Sequence, residues 1–97
     1  MSTLHVLSHS PFGDDRLTSC LRLIGANDAL LLTGDAVYAL QPNTAPFKSL
    51  NARSLKLFAL AEDAQARAIE VPDWAKAIDY PAFVELSIHY DKVNSWL

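Results

Sequence analysis

Apolar residues occur along this chain in short blocks separated by turn-forming residues, and the spacing within the blocks switches between strand-like and helix-like. Leu4, Val6 and Leu7 form the first block, and Ser8, Ser10, Pro11 and Gly13 follow, so a strand running into a loop is expected. Asp14 and Asp15 then place acid at the positive end of a helix whose apolar positions Leu17, Leu21 and Ile24 recur at helical spacing, with Gly25 as its stop. Residues 29–33 are a continuous apolar run between Asn27-Asp28 and Gly34-Asp35, the pattern of a central strand covered on both faces. Residues 36–40 fit either a short helix or an extended piece. The stretch 41–45, containing Pro42, breaks whatever precedes it, and a minor helical turn is expected over 46–51.

The same alternation then repeats. Residues 55–60 form a strand with Phe58 inside it, and Glu62 and Asp63 open an alanine-rich helix through about Ile69. Pro72 closes that unit, residues 76–79 supply a short fourth strand, and Asp79 caps a last helix that tolerates Pro81 in its first turn and runs through His89 or beyond. Phe83, Leu86, Tyr90, Val93 and Leu97 fall on one stripe of that helix, and Val84 and Ile88 on a second, roughly opposite. One stripe packs on the sheet. The other needs cover, either from a flanking loop or from a partner subunit, which makes Val84, Ile88 and the late aromatic Trp96 the interface candidates.

Strands alternating with helices imply right-handed βαβ units. The expected fold is α/β and three-layered, a mostly parallel sheet of four or five strands with helices on both faces, in a single domain spanning residues 1–97. Composition sharpens this picture. Hydrophobic residues make up 51% of the 97 and the mean hydropathy is +0.10, which excludes a disordered chain and leaves an apolar excess that so small a body should bury against a partner. The apolar runs fall far short of the roughly 20 residues of a membrane helix, so no membrane association is expected. The amino-terminal residues lack a basic segment followed by a long apolar stretch, and a cytoplasmic location is expected.

Charge and candidate chemistry narrow the function classes. A net charge of −3 and a pI of about 5.4 oppose direct nucleic-acid binding, and the basic cluster Lys48, Arg53 and Lys56 reads as a solvated face. His5, His9 and His89 lack the i, i+4 pairing of a helical metal site, and a single cysteine can close neither a disulfide nor a cysteine-based metal site, so no metal and no cofactor are expected. His9 is the best placed of the three histidines, just after the first strand. The loop around it, with one glycine and a proline lacking an amide hydrogen, makes a poor phosphate cradle and reads as a rigid turn, although a small-ligand module built on residues 8–13 is one alternative function. Cys20 is the remaining chemical candidate, because a thiolate can accept a sulfane sulfur and pass it on. Leu17, Cys20, Leu21 and Ile24 share one helical stripe, which turns the thiol toward the core. Arg16, four residues away, could assist a thiolate, whereas mid-helix amides are already bonded within the helix.

The sequence also resembles the TusB/DsrH proteins over nearly its whole length. The residues that carry the resemblance are Leu4-His5 with Ser10-Pro11; Leu30-Leu31-Leu32 with Gly34-Asp35 and Val37-Tyr38; the run from Lys56 to Leu60 with Asp63 and Arg67; and Ile78-Asp79-Tyr80, Phe83-Val84, Leu86 and Trp96. The resemblance implies a DsrE-like fold and assembly with two paralogous subunits, as a dimer of heterotrimers, in a complex that relays persulfide sulfur. In the TusB branch the sulfur goes toward 2-thiolation of the tRNA wobble uridine, with upstream and downstream carrier proteins acting through the complex. In the DsrH branch the related complexes serve sulfur oxidation. The sulfur-accepting cysteine of such complexes usually belongs to a paralogous subunit, and the stretch after residues 55–60 offers none here. Cys20 matches a first-helix cysteine of DsrH-like members, so a persulfide carrier acting through Cys20 is the alternative to a non-catalytic structural subunit.

Overall fold

A computed structural model describes residues 2–96. Five strands, β1 (Thr3–Leu7), β2 (Ala29–Leu32), β3 (Lys56–Leu60), β4 (Lys76–Ile78) and β5 (Lys92–Trp96), form one sheet in the order β4-β3-β2-β1-β5. Every neighbouring pair is parallel. The helices are α1 (Arg16–Leu23), α2 (Ala45–Asn51), α3 (Ala61–Ala66) and α4 (Tyr80–His89), with a 3₁₀ helix over Gly34–Leu40. The α/β architecture expected from the alternating pattern is the one present.

The handedness of parallel crossovers dictates where the helices lie. From β1 through β4 each strand adds beside the one before it, always on the same side, so the right-handed rule places the intervening helices on one face. The connection from β4 to β5 travels back across the whole sheet, and α4 therefore lies on the other face. Packing agrees with this. Leu7, Leu30, Leu32, Leu57 and Ala59 of the sheet pack with Leu17, Cys20, Val37, Leu50 and Ala64 from α1, the 3₁₀ helix, α2 and α3. On the opposite face Leu4, Ala29, Leu31 and Ile78 pack with Tyr90 and with Ala82, Phe83 and Leu86 of α4. β2, at the centre, is buried along its whole length, as its unbroken apolar run requires.

Local chemistry sets the helix ends. The Thr44 hydroxyl accepts the Phe47 amide at the start of α2, and the Asp79 carboxylate accepts the Ala82 amide at 2.9 Å at the start of α4, with Pro81 in the first turn where its missing N–H costs nothing. At the end of α3, Ala68 takes a left-handed conformation (φ 54°) while its amide bonds Gln65 O and the Ile69 amide bonds Ala64 O. This double bond pattern stops α3 three residues before the expected Ile69.

The carboxyl-terminal segment departs from the expected long helix. α4 ends at His89, Tyr90 turns into extended backbone, and Lys92–Trp96 form β5, pairing with β1 from Thr3 opposite Lys92 to Leu7 opposite Trp96. The stripe from Phe83 to Val93 therefore divides. Phe83 and Leu86 are helical and Tyr90 is buried just beyond the helix, whereas Val93 belongs to a strand and Leu97 lies outside the described residues. The physical reason is the open edge of β1, whose backbone donors and acceptors are paired by the returning chain. Among the described residues, no helix is long and apolar enough to cross a membrane.

Candidate functional site

Three clusters of polar or reactive side chains occupy defined places in this fold. The first is at the amino-terminal edge of the sheet. Asp28, just before β2, accepts the amides of Gly25 at 2.8 Å and Thr3 at 2.9 Å, and its other contact is the His5 ring, with Nε2 3.3 Å from Oδ2. These partners, the Gly25 amide foremost, hold the Asp28 carboxyl below its ordinary range. On the far side of the ring the Trp96 indole nitrogen lies 3.1 Å from His5 Nδ1. An indole can only donate, so Nδ1 accepts and the proton resides on Nε2, where it is donated to Asp28. His5 is thus the polar link that ties β5 to β1 and to the turn before β2. Sequence reasoning placed His5 in a strand but could not find this link, because its indole partner lies 91 residues away.

A second cluster lies at the carboxyl-terminal ends of the strands. The Asp63 carboxylate accepts the Gly34 amide at 2.7 Å, and Arg67 donates to Asp35 at 2.9 Å and to Asp63 O at 3.1 Å. Gly34 has φ 51°, and a Cβ there would meet Ser8 O at 3.2 Å, so the close approach of the two loops needs glycine. All four residues of this cluster are among those that carry the family resemblance, and here they act as a clasp between the loop after β2 and the start of α3. Their hydrogen bonds are directed at one another, and the arrangement is one of mutual support. His9 is exposed in the loop after β1 and joins neither cluster.

The third is the thiol. Cys20 is buried in the core between α1 and the sheet, with 0% of its surface exposed. Burial, reinforced by the negative charge of Asp28, raises its pKa from 9.0 to about 11. At neutral pH only about one molecule in ten thousand would carry a thiolate. Arg16, which sequence placed within reach of a thiolate, is paired with Asp14 instead. Arg53 donates to Leu21 O at 2.9 Å and completes a bond at the end of α1 that sequence gave no sign of. Among the described residues no three His, Cys, Asp or Glu side chains gather as a metal cage requires.

The interface candidates are distributed differently. Val84 and Ile88 lie on the outer side of α4, 48% and 79% exposed, with Tyr80 exposed one turn before them. Trp96 is partly buried against the core, on a strand and not on the helix. A family model described as "DsrH like protein" matches residues 9–93 of this sequence. The chain belongs to the DsrH-like family. Its curated relatives include proteins named "Protein TusB" from Erwinia tasmaniensis and Yersinia enterocolitica, each 34% identical over 95 residues, and from Enterobacter sp. (strain 638), 35% identical over 95 residues. In each case the match covers 96% of this chain and 99% of the relative. A solved structure, the ychN protein from E. coli, superposes with a TM-score of 0.74 at 20% identity, covering 99% of this chain and 100% of that one. The likeness shows a shared α/β fold over nearly the whole of both chains. Within this DsrH-like chain, then, the reactive side chain is sealed, and three of the large exposed apolar side chains, Tyr80, Val84 and Ile88, sit together on α4, while Phe12, Leu23 and Val93 are exposed elsewhere.

Proposed function

We propose that this chain is a structural, non-sulfur-carrying subunit of a cytoplasmic sulfur-relay complex that passes persulfide sulfur toward 2-thiolation of the tRNA wobble uridine. The observation that carries this reading is the state of Cys20. Sulfur relay proceeds by attack of a thiolate on a persulfide, forming a new persulfide and releasing the donor thiolate, and it needs an ionised, reachable nucleophile. The only thiol of the chain is buried and its pKa is about 11. A partner's cysteine therefore does the chemistry. Family membership supports the relay assignment, and the TusB name shared by relatives matching over 96% of this chain supports the tRNA branch over sulfur oxidation.

The contribution of this chain is surface. Ile88 and Val84, exposed on α4, are the contacts we assign to one of two paralogous subunits in a dimer of heterotrimers, and the uncovered part of the Trp96 indole is assigned to the same assembly. Co-expression with the two paralogues followed by native mass spectrometry tests the assembly. Equal numbers of three different chains are expected, and Ile88→Asp should abolish their association while the isolated variant stays folded. A lone chain that never joins the paralogues would sink the proposal. The chemistry is checked separately by labelling Cys20 with a thiol reagent at neutral pH. The folded chain should react at least a hundredfold more slowly than the chain in denaturant, and equal rates would return the carrier reading through Cys20.

A further inference from the structure

Between α1 and α2, on the face of the molecule away from α4, runs a groove that neither the sulfur-relay reading nor the subunit contacts use. Its first lobe, about 310 Å³, has Leu17 and Leu21 as a floor and Phe12 and Pro46 as walls. Phe12 is 56% exposed, an unusual position for a large aromatic ring with nothing over it. The second lobe, about 360 Å³, shares Leu21, Thr18 and Ser49 with the first and adds Arg22 and Arg53. The two lobes are thus one continuous groove, apolar at one end and cationic at the other.

The charge of this groove departs from that of the chain. The protein as a whole carries −3, yet the two arginines are unopposed by any carboxylate among the residues that line the groove. Arg53 is fixed by its bond to Leu21 O, which leaves its remaining donors for a ligand, and Arg22 is exposed in the last turn of α1. The groove beside α4 gives a useful contrast, because there Lys76 is offset by Glu85 and no net charge preference results. Spacing narrows the ligand further. Along α1, Leu17 at the apolar end and Arg22 at the cationic end are five residues apart, about 7.5 Å of helical rise. In an extended peptide, alternate side chains on one side are roughly 6–7 Å apart.

We propose that this groove binds an extended segment of a partner polypeptide that carries a large apolar side chain and, two positions away, an Asp or Glu. The apolar side chain lies on Leu17 and Leu21 beside Phe12, the carboxylate meets Arg22 and Arg53, and the hydroxyls of Thr18 and Ser49 face the segment's backbone between them. Guanidinium groups suit this role because their fixed donor fork matches a carboxylate. This inference stands on the groove alone and holds or fails independently of the relay assignment.

The test is a titration of the ¹⁵N-labelled full chain with the peptide acetyl-Gly-Ser-Phe-Ser-Glu-Ser-Gly-amide, followed by amide chemical shifts. Saturable shifts are expected in residues 12–22 and 45–53. Affinity should fall at least tenfold when Gln replaces Glu in the peptide, and at least tenfold for Arg22→Glu, a surface change in a terminal turn that leaves the core untouched. Thr18→Trp, which fills the junction of the lobes, should abolish binding without changing the spectrum elsewhere. Absence of saturation at millimolar peptide, equal binding of the Gln peptide, or shifts confined to another face would overturn the proposal. Binding of hexauridylate in the groove in place of the peptide would overturn it as well, by assigning the arginines to phosphate.

Discussion

One face of the sheet carries α1, the 3₁₀ helix, α2 and α3, whereas the other carries α4 alone. Five strands at about 4.8 Å spacing make a sheet roughly 19 Å wide, and a single helix about 10 Å across cannot cover it. The crowded face seals the residues next to the sheet, Cys20, Val37 and Leu40 among them, and leaves Phe12 and Leu23 exposed only on its outer surface. On the sparse face Val93 is 44% exposed, and among the described residues no residue of α4 itself is fully buried. The difference follows from connection order and handedness and not from a difference in apolar content, since both faces draw on the same leucine-rich strands. A subunit whose sheet is fully covered on one face and only partly on the other is suited to assembly through the second, where the sheet itself is open.

The sharpest test of this contrast compares Leu30→Ala with Leu31→Ala, adjacent residues of β2 that point to opposite faces. Each should cost about 2–5 kcal/mol in urea unfolding, with Leu30 toward the upper end because the four-segment layer above it is less able to collapse into the cavity than a single helix. Equal costs, or a larger one for Leu31, would mean that α4 is held as rigidly as the crowded layer. The thiol gives a second measure, through pH. Its pKa of about 11 in the folded protein lies above the ordinary 9.0, so the folded state holds its proton where the unfolded state has lost it. That contribution is complete below pH 9 and is lost as pH rises from about 9 toward 11. Stability of the natural chain should therefore fall more steeply over that window than stability of Cys20→Ala, and parallel curves would show an accessible thiol.

Smaller effects probe the ends of the two layers. Ala68→Gly relieves the left-handed alanine that closes α3 and should stabilise the chain by up to about 1 kcal/mol in thermal unfolding. A loss of stability there would mean that the chain beyond α3 is not anchored by this turn. Ile88→Ser, on the sparse face, should change the stability of the isolated chain by no more than about 0.5 kcal/mol. A larger loss would place Ile88 under cover within the chain and remove it from the interface.

Much of this architecture is legible from local pattern. The runs 29–33 and 55–60 each lie within one residue of an observed strand, because strands inside a parallel sheet are written as largely apolar blocks, and the run 76–79 matches the short, mostly exposed edge strand β4. Asp79 and Pro81 announce the start of α4 through capping chemistry that acts over three residues. What local pattern misses is settled at long range. Val93 stands three residues after Tyr90 and seven after Leu86, a helical register, yet its segment pairs with a strand almost ninety residues earlier. The end of α3 is missed for the opposite reason: its left-handed position holds alanine where glycine would have signalled the stop. For the site, the helical stripe correctly turns Cys20 inward, but the link through His5, Asp28 and Trp96 and the arginine pair across α1 and α2 depend on tertiary folding.

The pairing of β1 with β5 also has a consequence for biosynthesis. Ribosomes add roughly 5–20 residues per second, and domains tend to form from the amino terminus as the chain emerges. Here the first strand to be made has one edge that waits for residues 92–96, so for the several seconds of translation its donors and acceptors are open to strangers. The nascent chain is vulnerable until residues 92–96 emerge, and a growing polypeptide that stalls near residue 90 should be strongly dependent on chaperones.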